Sequence, residues 1–344
     1  MRNRALALFL ALPLTALALV GCAEPGDSSP KADVIVLDGA ATADSGGGLD
    51  GTGSPDASPG TPDSVPDPTP DASEPPPVEA CAPAPASMPE QAAAALELAN
   101  GYRAAMGIAC ATLDEAINLA AQNHCDYHTA NSGSCLDPNP HKEVDADPPC
   151  ENFTGVSFWE RMSAAGYEGN SVFENMAFSN DGASATQQWI DSVWHRTPVL
   201  SPWVRHFGYG GAPGCDTMDF GRGPQTPNDV VAVYPYDGQV DVPVNFFGQY
   251  EGPEPPKPPT GWPSGYVIHI YAKNLTITEH VITVDGDAAP IEHIWITPGD
   301  SQFLSSEHVM YPHAPMQPNT TYRVQITGTH DGSPMNLDWT FTTK

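Results

Sequence analysis

Between Ala23 and Ala80 the chain holds no aromatic residue, one lysine and twelve aspartates and glutamates, with Pro, Gly, Ser and Thr filling much of the rest. Such a stretch cannot bury enough apolar surface to offset the entropy lost on ordering. Packed structure must therefore come from the residues that follow. Its Asp-Pro and Ser-Pro steps favour extended backbone and turns. We read residues 22–87 as a disordered acidic tether, a spacer that holds the folded part away from the membrane. Val34-Ile35-Val36-Leu37 is its one apolar patch and has no assigned role.

What the spacer is tied to is written in the first 22 residues. Arg2 and Arg4 precede an apolar run, Ala5 to Val20, interrupted only by Pro13 and Thr15. The run is short for a spanning helix, which needs about 20 apolar residues, and has the shape of a signal peptide. It ends in Leu19-Val20-Gly21-Cys22, which resembles a bacterial lipobox. Residues 1–21 are then expected to be removed and Cys22 to carry lipid, each buried methylene contributing about 0.8 kcal/mol. Ala23 gives no retention signal of the aspartate type, which favours the outer membrane or cell surface. The expected location is the cell envelope, outside the cytoplasm. A formal charge of -29, from 42 acidic and 13 basic residues, excludes nucleic acid as a partner, because nothing neutralises a row of phosphates.

Six cysteines remain: Cys81, Cys110, Cys125, Cys135, Cys150 and Cys215. An even number in an oxidising compartment points to disulfides, with the pairing left open. No Cys-x-x-Cys pair occurs, which argues against a cysteine zinc site.

Helical signals begin at Pro89. Glu90 to Ala105 is alanine-rich, and Gly107 ends it. A second helix is expected from Thr112, with Thr112 and Glu115 as a capping box and Leu113, Ile117, His124 and His128 along one face. Ser157 with Glu160, and Ser184 with Gln187, mark two more helix starts. Strand-like runs occupy 171–178, 204–211 and 216–220. After Gly221 the chain shows only short runs rich in Val, Ile, Thr, Tyr and Trp, bounded by turn residues. The fold class is therefore α+β: a sheet covered by helices in residues 88–222, then an antiparallel β-sandwich in 228–344.

Several motifs stand in a fixed order through the middle of the chain: Leu98-Ala99-Asn100 with Arg103 and Gly107, Leu119 to His124, Phe153-Thr154-Gly155 through Arg161 to Ala164-Ala165-Gly166-Tyr167, Phe173-Glu174-Asn175-Met176-Ala177, Trp189-Ile190-Asp191-Ser192 with His195-Arg196, and His206 to Gly210. This order resembles the CAP superfamily (cysteine-rich secretory protein, antigen 5 and pathogenesis-related proteins), which implies an α-β-α sandwich. Tyr234-Pro235 with Asp237-Gly238 and Val242-Pro243, Pro318 to Tyr322, and the closing Trp339 to Thr343 resemble bacterial immunoglobulin-like domains.

The CAP resemblance places His141, Glu174 and His195 in a cleft, where two imidazoles and a carboxylate would suit zinc or a similar divalent ion. Asn175, Ser192 and Arg196 are expected to support it, Asn175 by anchoring backbone and Arg196 by pairing with a buried carboxylate. The sequence departs from the family at Phe173, where glycine is usual, and at Ser192, where the eukaryotic pattern has a second glutamate. Ser192 lacks a Gly-x-Ser-x-Gly setting and is rejected as a nucleophile. His124 and His128, four apart on a helix, read as core rather than ligand.

Three functions follow. A non-enzymatic binding module would take up a lipid, sterol or glycan outside the cell, with a weak metal cleft. A metal-dependent hydrolase, protease or cell-wall enzyme, would use water on the ion. A surface protein would be purely structural. The absence of a nucleophile-base-orienter set favours the first, with no catalytic residue assigned.

Overall fold

The structure, a computed structural model, describes residues 21–22, 24–25, 81–179, 181–222 and 230–344. The apolar leader up to Val20 and residues 26–80 of the expected tether, with the Val34–Leu37 patch, lie outside the described residues.

In chain order the elements begin with two short strands, β1 (Gly21–Cys22) and β2 (Glu24–Pro25). Helix α1 (Glu90–Ala105) buries Ala92, Ala95, Leu96 and Ala99 along one face. The expected start of the next helix is corrected: Thr112 and Leu113 form a strand, β3, paired with His206 and Phe207. Helix α2 (Glu115–Ala130) is capped instead by Asp114, whose side chain accepts from the N–H groups of Ala116 and Ile117. Strand pairing takes Thr112 before it can cap, and Asp is an equally good N-cap.

Helix α3 (Phe158–Ala164) carries the Ser157–Glu160 capping box expected of it. Strand β4 (Asn170–Ala177) leads to α4 (Gly182–Ile190), capped by Asp181 through the N–H of Ser184 rather than by Ser184. Helix α5 (Arg196–Leu200) and strands β5 (Val204–Ala212) and β6 (Cys215–Arg222) follow. The sheet order is β2-β4-β6-β5-β3.

Helix α2 lies directly on β5. A Cβ at Gly208 would meet the Ile117 backbone at 2.2 Å, and one at Gly210 would meet the Gln122 nitrogen at 2.2 Å. Only glycine permits this approach. The Cys125–Cys215 disulfide locks the same helix to the start of β6; Cys81 pairs with Cys110 and Cys135 with Cys150.

The C-terminal part contains β7 (Ala232–Tyr234), β8 (Gln239–Val242), β9 (Glu251–Gly252), β10 (Ile268–Tyr271), β11 (Leu275–Val284), β12 (His293–Ile296), β13 (Glu307–Pro312), β14 (Thr321–His330) and β15 (Ser333–Thr343). All but β9 form two four-stranded sheets, β12-β13-β10-β7 and β11-β14-β15-β8. Pairing is antiparallel except between β15 and β8, a departure from the all-antiparallel expectation. β8 leaves β7 through the Asp237-Gly238 turn and crosses to the other sheet beside the last strand.

One hydrophobic cluster runs through both parts, from Ala95 and Trp189 through Val204 to Tyr234, Ile270, Val324 and Phe341. Arg196 joins them at its centre. It is fully buried, donates to the carbonyls of Ile190 and Val267, and lies 4.6 Å and 5.0 Å from the ring centres of Tyr234 and Tyr266. The expected carboxylate partner is thus corrected: carbonyls and aromatic faces hold this guanidinium, the latter by cation–π attraction.

Strand β9 lies beside the N-terminal segment. Gly21 and Cys22 pair with Glu251 and Gly252, while Glu24 and Pro25 pair with Glu174 and Phe173.

Candidate functional site

Glu174 and Asn175 are neighbours on β4, so their side chains leave the strand on opposite faces. Glu174 is fully buried. Its Oε1 accepts from His141 Nδ1 at 2.9 Å and its Oε2 from Arg161 at 2.5 Å. Burial alone would raise its pKa, but Arg161, then His124 and His141, hold it below the usual carboxylate range. Around this pair, His124 faces Glu143 Oε1 and the Pro140 carbonyl, each at 3.0 Å. His128 also meets the Pro140 carbonyl, at 2.8 Å. His124 is thus a buried histidine with both ring nitrogens engaged.

Asp219 on β6 stands opposite Glu174 in the strand register. It is buried, and its carboxyl stands within hydrogen-bond reach of Glu174, to which only its protonated form can donate. Burial first, and the Glu174 charge second, push its pKa well above the model-compound value of 3.8. The folded chain therefore holds a proton there that the unfolded chain has released. Its stability contribution is full below about pH 3.8 and is lost as pH rises through the folded value. Asp219→Asn is expected to raise the melting temperature at about pH 8 and leave it unchanged at about pH 3.5. Equal melting of both proteins at pH 8 would show that ionised Asp219 costs the fold nothing.

On the other face, Asn175 donates to the His195 carbonyl at 2.8 Å. His195, at the start of α5, makes its side-chain contacts apart from the His141–Glu174 pair. Its Nδ1 lies 2.9 Å from Ser192 Oγ and 3.2 Å from Glu251 Oε2. Glu251 also accepts the Val193 N–H at 3.0 Å, and Trp194 Nε1 donates to the Pro253 carbonyl at 2.7 Å. The segment around β9 therefore clasps the 192–195 turn.

His195 and Ser192 line a cavity of about 430 Å³ between the two parts of the fold. Trp189 and Met176 face it from one side, and Phe246, Phe247, Tyr250 and Tyr266 from the other. Phe247 and Tyr250 are exposed at 45% and 40%, so the cavity has an aromatic rim. Tyr266 donates to Asp191 Oδ1 at 2.6 Å, tying the walls together.

The expected trio thus contributes to two places. His141 and Glu174 are brought together, and His195 pairs with Ser192 and Glu251. The arrangement does not fit a three-ligand metal site. Both Glu174 oxygens are taken, and among the described residues no group of three or more His, Cys, Asp or Glu stands where it could hold a metal ion. Sequence reasoning missed Arg161 as the partner of Glu174, and missed Asp219, Glu143 and Glu251. Alternation along β4 and β6 was the available signal for Asp219; none pointed to Glu251, which is 56 residues from His195.

No curated protein matches this sequence. A solved structure of an extracellular protein containing an SCP domain, from Bacillus anthracis str. Ames, is similar at 21% identity and a TM-score of 0.31. The match covers 39% of this chain and 40% of that one, so it spans less than half the length of that protein. The family model that matches is CAP, the cysteine-rich secretory protein family, over residues 96–232. That interval takes in α1 from Leu96 onward, the Glu174 network, the His195 turn and β6. Residues 96–232 of this chain are a CAP domain.

Proposed function

We propose that the chain is a lipid-anchored, non-enzymatic binding module of the cell envelope, whose CAP domain and C-terminal immunoglobulin-like part together take up a ligand with a large apolar portion. The observation that carries this reading is the aromatic cavity beside His195. Its volume of about 430 Å³ falls in the range of small-molecule sites, and apolar walls with a few polar groups are their usual make-up. The Cys22 motif supports the anchor. The CAP domain and three disulfides fit an extracytoplasmic setting.

Hydrolysis is the weaker reading on geometry. Ser192 and Glu251 crowd the same ring nitrogen of His195, whereas a triad needs nucleophile and orienter on different nitrogens. Both Glu174 oxygens are held by His141 and Arg161, and the Arg161 charge keeps the carboxylate a weak base.

An uncharged fluorescent apolar probe should bind the full chain saturably. Phe247→Ala combined with Tyr250→Ala should weaken it about tenfold, because each ring is half-exposed in the free protein and would be covered by the ligand. Unchanged affinity in that variant would place the ligand elsewhere.

A further inference from the structure

Two histidines meet where the two sheets of the C-terminal part approach at their margins. β11 is an edge strand of one sheet and β12 an edge strand of the other. His280 on β11 and His293 on β12 reach toward each other, with Nδ1 of the first 2.8 Å from Nε2 of the second. Neither ring lines the aromatic cavity.

Both rings are held in orientation. His293 Nδ1 lies 2.7 Å from the Ile291 carbonyl. A carbonyl only accepts, so Nδ1 carries the hydrogen, and the neutral ring turns the lone pair of Nε2 toward His280. A carbonyl that engages one ring nitrogen and leaves the other bare is the usual support of a metal-binding histidine. His280 lies flat on Trp295, with ring centres 4.2 Å apart and planes at 6°, which aims its Nδ1. Burial lowers the pKa of both rings, so both are uncharged at neutral pH. One hydrogen, on His280 Nδ1, fills the gap between them. The other tautomer of His280 carries that hydrogen on Nε2 and sets a second lone pair against the first.

We propose that His280 and His293 form a clip for a divalent transition ion that prefers imidazole, zinc above all, which binds in place of that hydrogen and ties β11 to β12. Two zinc–nitrogen bonds of about 2.0–2.1 Å at a tetrahedral angle set their nitrogens about 3.3 Å apart. The rings therefore part by roughly half an ångström. Both are half-buried, and each stands on a strand paired on one side only, so the sheet margins take up the movement. Among the described residues no group of three or more His, Cys, Asp or Glu stands where it could hold an ion. Water then completes the coordination, which makes the clip an open site and a weaker one than a four-ligand structural centre. The formal charge of -29 draws cations to the chain. Close to His293 stand Glu292, which favours a cation, and His313; His308 lies beyond Trp295, with ring centres 5.5 Å apart.

The test uses the full chain, stripped with a chelator and dialysed, at about pH 7.5 with about 0.1 M sodium chloride to screen the acidic residues 22–87. Titration with zinc chloride in a calorimeter should show one ion per chain, and saturating zinc should raise the melting temperature. His280→Gln and His293→Gln each keep an amide that can hydrogen-bond the remaining ring but lose an imidazole ligand. Each should weaken zinc binding by about tenfold or more and remove the melting shift. The two variants alter different strands, so either one that melts like the parent without zinc suffices for the comparison. No saturable heat with zinc in the parent, or parental affinity in either glutamine variant, would overturn the clip. Zinc binding lost in His195→Ala and kept in both glutamine variants would place the ion in the CAP domain and overturn it as well.

Discussion

Replacing Glu174 by alanine is expected to lower the unfolding free energy by about 3–5 kcal/mol, because it strands a buried guanidinium. Arg161 is 1% exposed, and Glu174 is its closest carboxylate, at 2.5 Å. Of its other carboxylate neighbours, Asp219 is itself held protonated by burial and by Glu174, and Glu143 lies 3.8 Å away and already accepts from the Thr154 N–H and faces His124. The substitution also removes the acceptor for His141 Nδ1. Glu174→Gln keeps the shape and one acceptor, so its loss should be smaller. Guanidinium denaturation of the three proteins checks this order. Ligand uptake in Glu174→Gln, measured below its melting temperature, should match that of the parent. A stable Glu174→Ala protein that had lost uptake would instead make this carboxylate part of the binding site.

The second large effect concerns the cross-links. Cys125 and Cys215 are 90 residues apart, Cys135 and Cys150 only 15. A disulfide restricts the unfolded chain more as the closed loop lengthens, which sets the losses at about 4–5 kcal/mol for the first and about 3 kcal/mol for the second. The first pair is also buried between α2 and β6, so alanine at both positions leaves a cavity as well. The double alanine variants should therefore rank with Cys125/Cys215 the less stable by thermal melting. The reverse order would mean that the loop around Cys135–Cys150 carries more of the fold than its length suggests.

What could be read from the sequence follows a simple division. Local signals were legible. The alanine-rich run gave α1, Ser157 with Glu160 gave the start of α3, and the strand-like run 171–178 gave β4. Two competing caps were misjudged, because nothing in the sequence says that Thr112 will be drawn into a strand with His206. The candidate site divides in the same way. Glu174 was found as a motif residue, yet its role depends on Arg161 and Asp219, which reach it through the packing of α3 and β6. Glu251 lies beyond the matched family segment, just before the proline-dense run that starts at Pro253. It becomes meaningful only once β9 is folded against the 192–195 turn. Residues from the two parts share one core for the same reason: Arg196 finds its partners on β7 and at Tyr266 and Val267, contacts that no spacing announces.

Calorimetric titration of the full chain with 1-pyrenebutanol at two temperatures bears most directly on the shared cavity as the ligand site. A saturable one-to-one heat with a negative heat-capacity change, the mark of apolar surface leaving water, is the expected result, and it should weaken in the Phe247/Tyr250 alanine variant. No saturable heat, or the same titration curve in both proteins, would contradict it.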